Sequence, residues 1–192
     1  MTPEQLATAL ISTATDFVGL VETRQNRAWD DPRTKIIETE KSDRLSKAMS
    51  EFGWDPGEPY CAAFDGAVVA ITATRCGLRY AEFRRIWTPH CMTNVRKLKA
   101  LGLLDAQPSP GSLMLMRHGT TDSGHAGLCC HIEGLFPNRM LITIEGNTMP
   151  GIGGDQRQGD GIYQRVRNVF TNGSLKTQGW LSAKNLLSLL SA

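Results

Sequence analysis

No apolar run in the sequence approaches the roughly 20 residues that a membrane-crossing helix needs, so membrane insertion is not expected. Charge imbalance is small: 21 Lys and Arg stand against 19 Asp and Glu, a formal net charge of +2. Such a balance gives no electrostatic reason to expect nucleic acid as a partner. Paired cysteine spacing is missing too. Cys61, Cys76, Cys91, Cys129 and Cys130 are odd in number with no CxxC, which argues against a disulfide framework and for a reducing compartment. His90, Cys91, Cys129, Cys130 and His131 could be combined into a metal centre on paper. They lack the usual ligand spacing, so neither metal nor cofactor is expected. No internal repeat or low-complexity tract occurs. The N-terminal MTPEQLATAL carries Glu4 and no basic region, unlike a secretory signal, so synthesis in the cytoplasm without a signal peptide is the expectation.

The 192 residues, 41% of them hydrophobic, suit one domain spanning 1–192. The chain is organised around Gly53 to Cys76. Asp55-Pro56-Gly57-Glu58-Pro59 cannot be helical, since two prolines remove amide donors and Gly57 is free to turn. Cys61-Ala62-Ala63-Phe64 then opens a small, apolar run in which Phe64, Ala67, Val68 and Ile71 recur at helical spacing. Asp65 is its one charged residue before Arg75, so this helix is expected to be buried on most sides. Cys61 falls in its first turn, where free N–H groups and the positive end of the dipole favour a thiolate and offer donors to an oxyanion.

Thr2-Pro3-Glu4-Gln5 is a capping box that starts a helix running to about Leu20. Arg27 to Glu51 is charged and polar, and it is expected as a surface excursion (about 27–52) with a short helix near Asp43–Phe52. The basic patch Arg79, Arg84 and Arg85 follows, and Thr88-Pro89 can start a further helix through Leu101. Pro108-Ser109-Pro110-Gly111 is a sharp break after which the pattern changes to strands: Ser112–Met116, His125–Ile132, Met140–Glu145 and Ile162–Val166. A leucine-rich helix over Trp180 to Leu190 closes the chain. Helices first and strands later predict an α+β fold with a mostly antiparallel sheet.

Two later segments can complete a site with Cys61. Ser123-Gly124-His125-Ala126-Gly127 sets a histidine between glycines at the start of a strand. On the next strand Thr143, Glu145 and Asn147 share one face at period two. A thiol nucleophile, an imidazole base and a polar group to orient it are what thiol-dependent acyl transfer requires. Glu145 could instead simply pair with an arginine.

Pro59-Tyr60-Cys61-Ala62-Ala63-Phe64, Pro110-Gly111-Ser112-Leu113-Met114, Gly124-His125-Ala126-Gly127-Leu128 and Thr143-Ile144-Glu145-Gly146-Asn147-Thr148 occur in this order. Together they resemble the CHAP family of cysteine- and histidine-dependent amidohydrolases and peptidases, close to the NlpC-type cell-wall peptidases. Val18-Gly19-Leu20-Val21-Glu22 and Asn26 resemble the lead-in of many bacterial and phage members, so the resemblance spans roughly Phe17 to Arg167, within a hydrolase core of about 15–170. It implies a papain-like fold, with Cys61 as nucleophile, His125 as base, Glu145 as orienter and Asn147 as a fourth polar member. Tyr60, Trp54 and Gly124 would line the substrate groove. Ser112 departs from the Asp common after Pro-Gly, and Tyr60 from the Trp common before the cysteine.

The implied activity is hydrolysis of a peptidoglycan amide, either muramoyl-alanine or within the stem peptide. A phage lysin released at lysis or an effector injected into rival bacteria would act on the wall in this way. An effector would bring with it a cognate immunity protein or a delivery component. Two other classes remain open: a non-catalytic wall-binding or structural module, and an intracellular thiol amidase or deamidase acting on protein.

Overall fold

The computed structural model describes residues 1–22, 29–31, 36–37, 40–134, 139–149 and 161–191. Helix α1 (Pro3–Thr15) starts on the expected capping box, with both reciprocal bonds between Thr2 and Gln5. It ends earlier than its pattern suggested, at the Asp16 C-cap, and Gly19 (φ 89°) then turns the chain into β1 (Val21–Glu22). Asn26 lies outside the described residues, as does much of the excursion predicted over 27–52. Its described parts are β2 (Trp29–Asp31), β3 (Ile36–Ile37) and α2 (Glu40–Ser50). Helix α2 is no solvated element, because Leu45 and Met49 are fully buried in the main core.

Helix α3 (Cys61–Arg75) begins at the cysteine, and every residue from Cys61 to Ala73 is buried. Gly66 allows this enclosure, since a Cβ there would meet Trp87 at 2.9 Å and Phe52 at 3.0 Å. The basic patch belongs to a short helix, α4 (Ala81–Ile86), whose Phe83 and Ile86 face inward. Helix α5 (Cys91–Ala100) starts later than Thr88 because Asn94 holds Thr88 through its backbone N–H and hydroxyl, both at 2.9 Å, outside the helix.

The break at Ser109-Pro110-Gly111-Ser112 is a tight turn, closed by the Ser112 N–H donating to the Ser109 carbonyl at 3.0 Å, with Gly111 at φ 79°. The Ser112 hydroxyl also donates to that carbonyl at 2.6 Å and accepts from the Ser109 N–H, so serine holds the turn without a carboxylate. Strands β4 (Leu113–His118), β5 (Gly124–Glu133), β6 (Met140–Thr148), β7 (Gly161–Asn168), β8 (Thr171–Asn172) and β9 (Leu175–Leu181) follow. The sheet order is β3-β2-β1-β7-β6-β5-β4-β9-β8, and every pairing of named strands is antiparallel. The fold is α+β.

Period two divides the sheet. Leu113, Leu115, Ala126, Leu128 and Ile144 join the helical core, while Met114, Met116, Cys129, Leu141 and Trp180 form a second cluster. Trp180 and Leu181 therefore belong to a strand, not to the closing helix. Helix α6 (Ala183–Leu190) starts after Ser182, whose side chain accepts from the Asn185 N–H.

Candidate active site

The turn before α3 sets the approach to Cys61. The Glu58 N–H donates to the Asp55 carbonyl at 3.1 Å, Pro56 and Gly57 occupy the middle, and Gly57 has φ 98°. The first intrahelical bond runs from the Phe64 N–H to the Tyr60 carbonyl at 2.7 Å, so the N–H groups of Cys61, Ala62 and Ala63 have no acceptor within the helix. The backbone N–H groups of Ala62 and, from β5, of Ala126 favour negative charge on the Cys61 sulfur. The Trp87 indole N–H donates to the Ala62 carbonyl at 2.7 Å and pins the turn that carries the thiol.

His125 stands second in β5, beside the cleft, and is 2% exposed. Its Nε2 lies 2.7 Å from Glu145 Oε2 on β6, which leaves Nδ1 as the ring nitrogen open to the Cys61 thiol, and the imidazole and the thiol act on each other's charge. Thus the structure brings Cys61, His125 and Glu145 together. Glu145 is itself held: the Thr143 hydroxyl donates to Oε1 at 2.6 Å, and Arg167 on β7 engages both oxygens, at 2.8 Å from Nε and 2.5 Å from Nη2. Glu145 is thus bonded to the imidazole and paired with an arginine at the same time. Thr143 was placed on the Glu145 face from the sequence but given no role, and Arg167 was not singled out. The signal was there in the alternation of Tyr163, Arg165 and Arg167, which puts both arginines on the strand face that carries Glu145.

Gly127 makes the histidine–carboxylate contact possible. A Cβ there would lie 2.5 Å from Glu145 Cγ, so the glutamate side chain reaches His125 by crossing bare backbone. Gly127→Ala is therefore expected to push Glu145 off the imidazole. Overpacking of this kind costs about 1–3 kcal/mol. A thermal melt should show that loss together with a fall in activity, whereas alanine at Gly173, where a Cβ meets nothing within 4 Å and the only cost is backbone strain at φ 63°, should leave activity unchanged.

Burial acts to raise the Cys61 thiol, but the imidazolium charge, its hydrogen bond and the two backbone N–H groups outweigh it and leave the thiol below its ordinary value. Burial likewise opposes charge on His125, yet the Glu145 carboxylate and the Cys61 thiolate lift it to about 9. Burial works against ionised Glu145 as well, and the Arg167 and His125 bonds overcome it, holding the carboxyl well below the carboxylate range. The site thus favours a thiolate–imidazolium pair, which titrates as a unit. Cys129 and Cys130 are pushed up by burial to about 12, and burial raises Cys91 well above an ordinary thiol.

A cleft of about 490 Å³ opens at Cys61, lined also by Glu58, Pro59, His90, Cys91 and Gly124. Gly124 is where the groove was expected, but Tyr60 and Trp54 are not. They are 0% and 3% exposed, set edge to face at 6.3 Å, with the Trp54 indole N–H bonded to the Glu58 carbonyl. They stiffen the wall from behind; Glu58 and Pro59 are at its surface. Asn147 sits at the irregularity in β6 between Glu145 and Thr148, with φ 54°, and both ring contacts of His125 are made by other residues. Among the described residues no three His, Cys, Asp or Glu are grouped to hold a metal.

No family model matches the chain, and no curated protein matches it significantly.

Proposed function

We propose that this protein is a cysteine-dependent hydrolase of peptidoglycan amide bonds, of the CHAP and NlpC-type kind, with a papain-like arrangement of helix and sheet. The observation that carries the reading is Cys61 at the start of a buried helix, electrostatically coupled to an imidazole that Glu145 holds by Nε2 at 2.7 Å, beside an open cleft. The order of motifs supplies the substrate class.

The thiolate attacks the amide carbonyl, forming the S–C bond, and the carbonyl oxygen becomes an oxyanion facing the Cys61 N–H. Collapse breaks the C–N bond as His125 delivers its proton to the leaving amine. Neutral His125 then takes a proton from water, whose oxygen displaces the sulfur and releases the acid. Glu145 keeps the ring aimed and supports its charge. Activity should fall as pH rises through about 9, where the imidazolium is lost. A wall target would be reached after release or injection, as for a lysin or an effector.

Purified sacculi incubated with the enzyme should release either free stem peptides or cleaved stems, identified by mass. Brief iodoacetamide treatment at about pH 6.5 should label Cys61 ahead of Cys91, Cys129 and Cys130, whose thiols are held protonated. His125→Ala should slow that labelling. If Cys61 reacts only on unfolding, it is a core residue and the hydrolase reading falls.

A further inference from the structure

Cys91 is a second thiol at the cleft, and the hydrolytic steps do not use it. It is the first residue of α5 and is 5% exposed. Its one proton has two acceptors, the His125 carbonyl at 3.2 Å and the Met116 carbonyl at 3.4 Å. Those two residues face each other across β4 and β5. The thiol therefore spans the strand pair that carries the histidine. A thiol is a weak donor, and this one keeps its proton because burial raises it well above an ordinary cysteine.

His125 is placed where such an anchor matters. It is the second residue of β5, and residues 119–123 before it are exposed. Pairing with β6 begins only at Leu128, so among the described residues the strand at His125 is paired with β4 alone. Glu145 fixes one nitrogen of the ring, but the ring is aimed at Cys61 only if its own backbone stays in place. Helix α5 packs against both strands and gives support from outside the sheet. Gly124 permits that approach. A Cβ there would stand 3.0 Å from the Cys91 sulfur and 2.4 Å from the Met116 carbonyl oxygen.

We propose that Cys91 is a positioning residue, whose thiol ties the His125 and Met116 carbonyls to the start of α5 and so holds the imidazole in line with Cys61. The donated proton carries this role, more than the bulk of the side chain. Valine would fill the space and donate nothing. Serine is smaller and still donates.

This role rests on the Cys61–His125 reading of the site, and its test tells the two apart. Cys91→Ala, Cys91→Val and Cys91→Ser are compared with the natural protein by thermal melt, by hydrolysis of purified sacculi and by the rate at which iodoacetamide labels Cys61 at about pH 6.5. A displaced imidazolium supports less thiolate, so the labelling reads the position of the ring without any turnover. The alanine and valine variants are expected to label Cys61 about threefold more slowly and to hydrolyse sacculi about tenfold more slowly. Cys91→Ser should stay within about twofold of the natural protein in both, even where its melting temperature falls as far as that of Cys91→Ala. Packing alone gives another order, with valine best and serine no better than alanine, and that order overturns the proposal. Natural rates in all three variants overturn it too. Should Cys91→Ala fail to fold, valine against serine decides on the same terms. If Cys61 of the natural protein labels only on unfolding, the hydrolase reading falls and this role falls with it.

Discussion

Cys61→Ala is expected to abolish wall hydrolysis, with a loss on the order of 10⁴-fold or more, while the protein remains folded. The two halves of that expectation have different causes. Activity goes because no other thiol is placed to replace it. Cys91 reaches the same cleft, but its sulfur donates to the Met116 and His125 carbonyls at 3.4 and 3.2 Å, and burial keeps its proton on. The fold stays because α3 is enclosed along its length and loses one sulfur at its first residue, worth about 1 kcal/mol. For a chain of this size that is a melting shift of about 2–4 °C. His125 would keep its bond to Glu145. The variant should still bind sacculi, which separates catalysis from adhesion. Retained hydrolysis would end the cysteine mechanism, and a variant that neither binds nor melts cooperatively would make Cys61 a core residue.

The helical half of this architecture was largely legible because its signals are local. A capping box, a proline–glycine turn and a run of small apolar residues each act within a few positions, and α1, α3 and the break before β4 follow from them. The histidine and glutamate were legible by period two. What was not legible depends on pairing across the sheet. Strand β9 reads as Leu-Lys-Thr-Gln-Gly-Trp-Leu, too polar to stand out, and is a strand because β4 offers it an edge. Arg167 is 22 residues from Glu145 and meets it only through the β6–β7 register. Tyr60 and Trp54 were misplaced for a related reason. Aromatic residues beside a nucleophile suggest a groove wall, but the close approach of Gly146 to Tyr60, at 3.1 Å from a Cβ there, closes the core over them.

Glu145→Ala is expected to cost stability as well as activity, and the two losses can be separated. The substitution strands Arg167, 5% exposed, without its carboxylate, and breaking a buried pair in this way costs about 3–5 kcal/mol. That is a fall of more than about 10 °C in the melting temperature. The pH dependence carries the same signature. Glu145 is depressed in the folded state, so its stabilisation is present above about pH 4.3 and is lost as the pH falls below that. His125 is raised to about 9, so its contribution is complete below about pH 6.5 and is lost as the pH climbs through 9. The natural protein should be most stable between about pH 5 and 6.5, and Glu145→Ala should flatten both limbs. Glu145→Gln keeps the shape and an acceptor for Arg167 but not the charge that supports the imidazolium, so it should fold and turn over slowly. The deciding variant is Glu145→Ala combined with Arg167→Met, which removes the stranded cation. It should recover much of the melting temperature and none of the activity, remaining at least about 10²-fold below the natural protein. Recovery of hydrolysis together with stability would mean that Glu145 serves Arg167 alone and that His125 needs no orienting carboxylate.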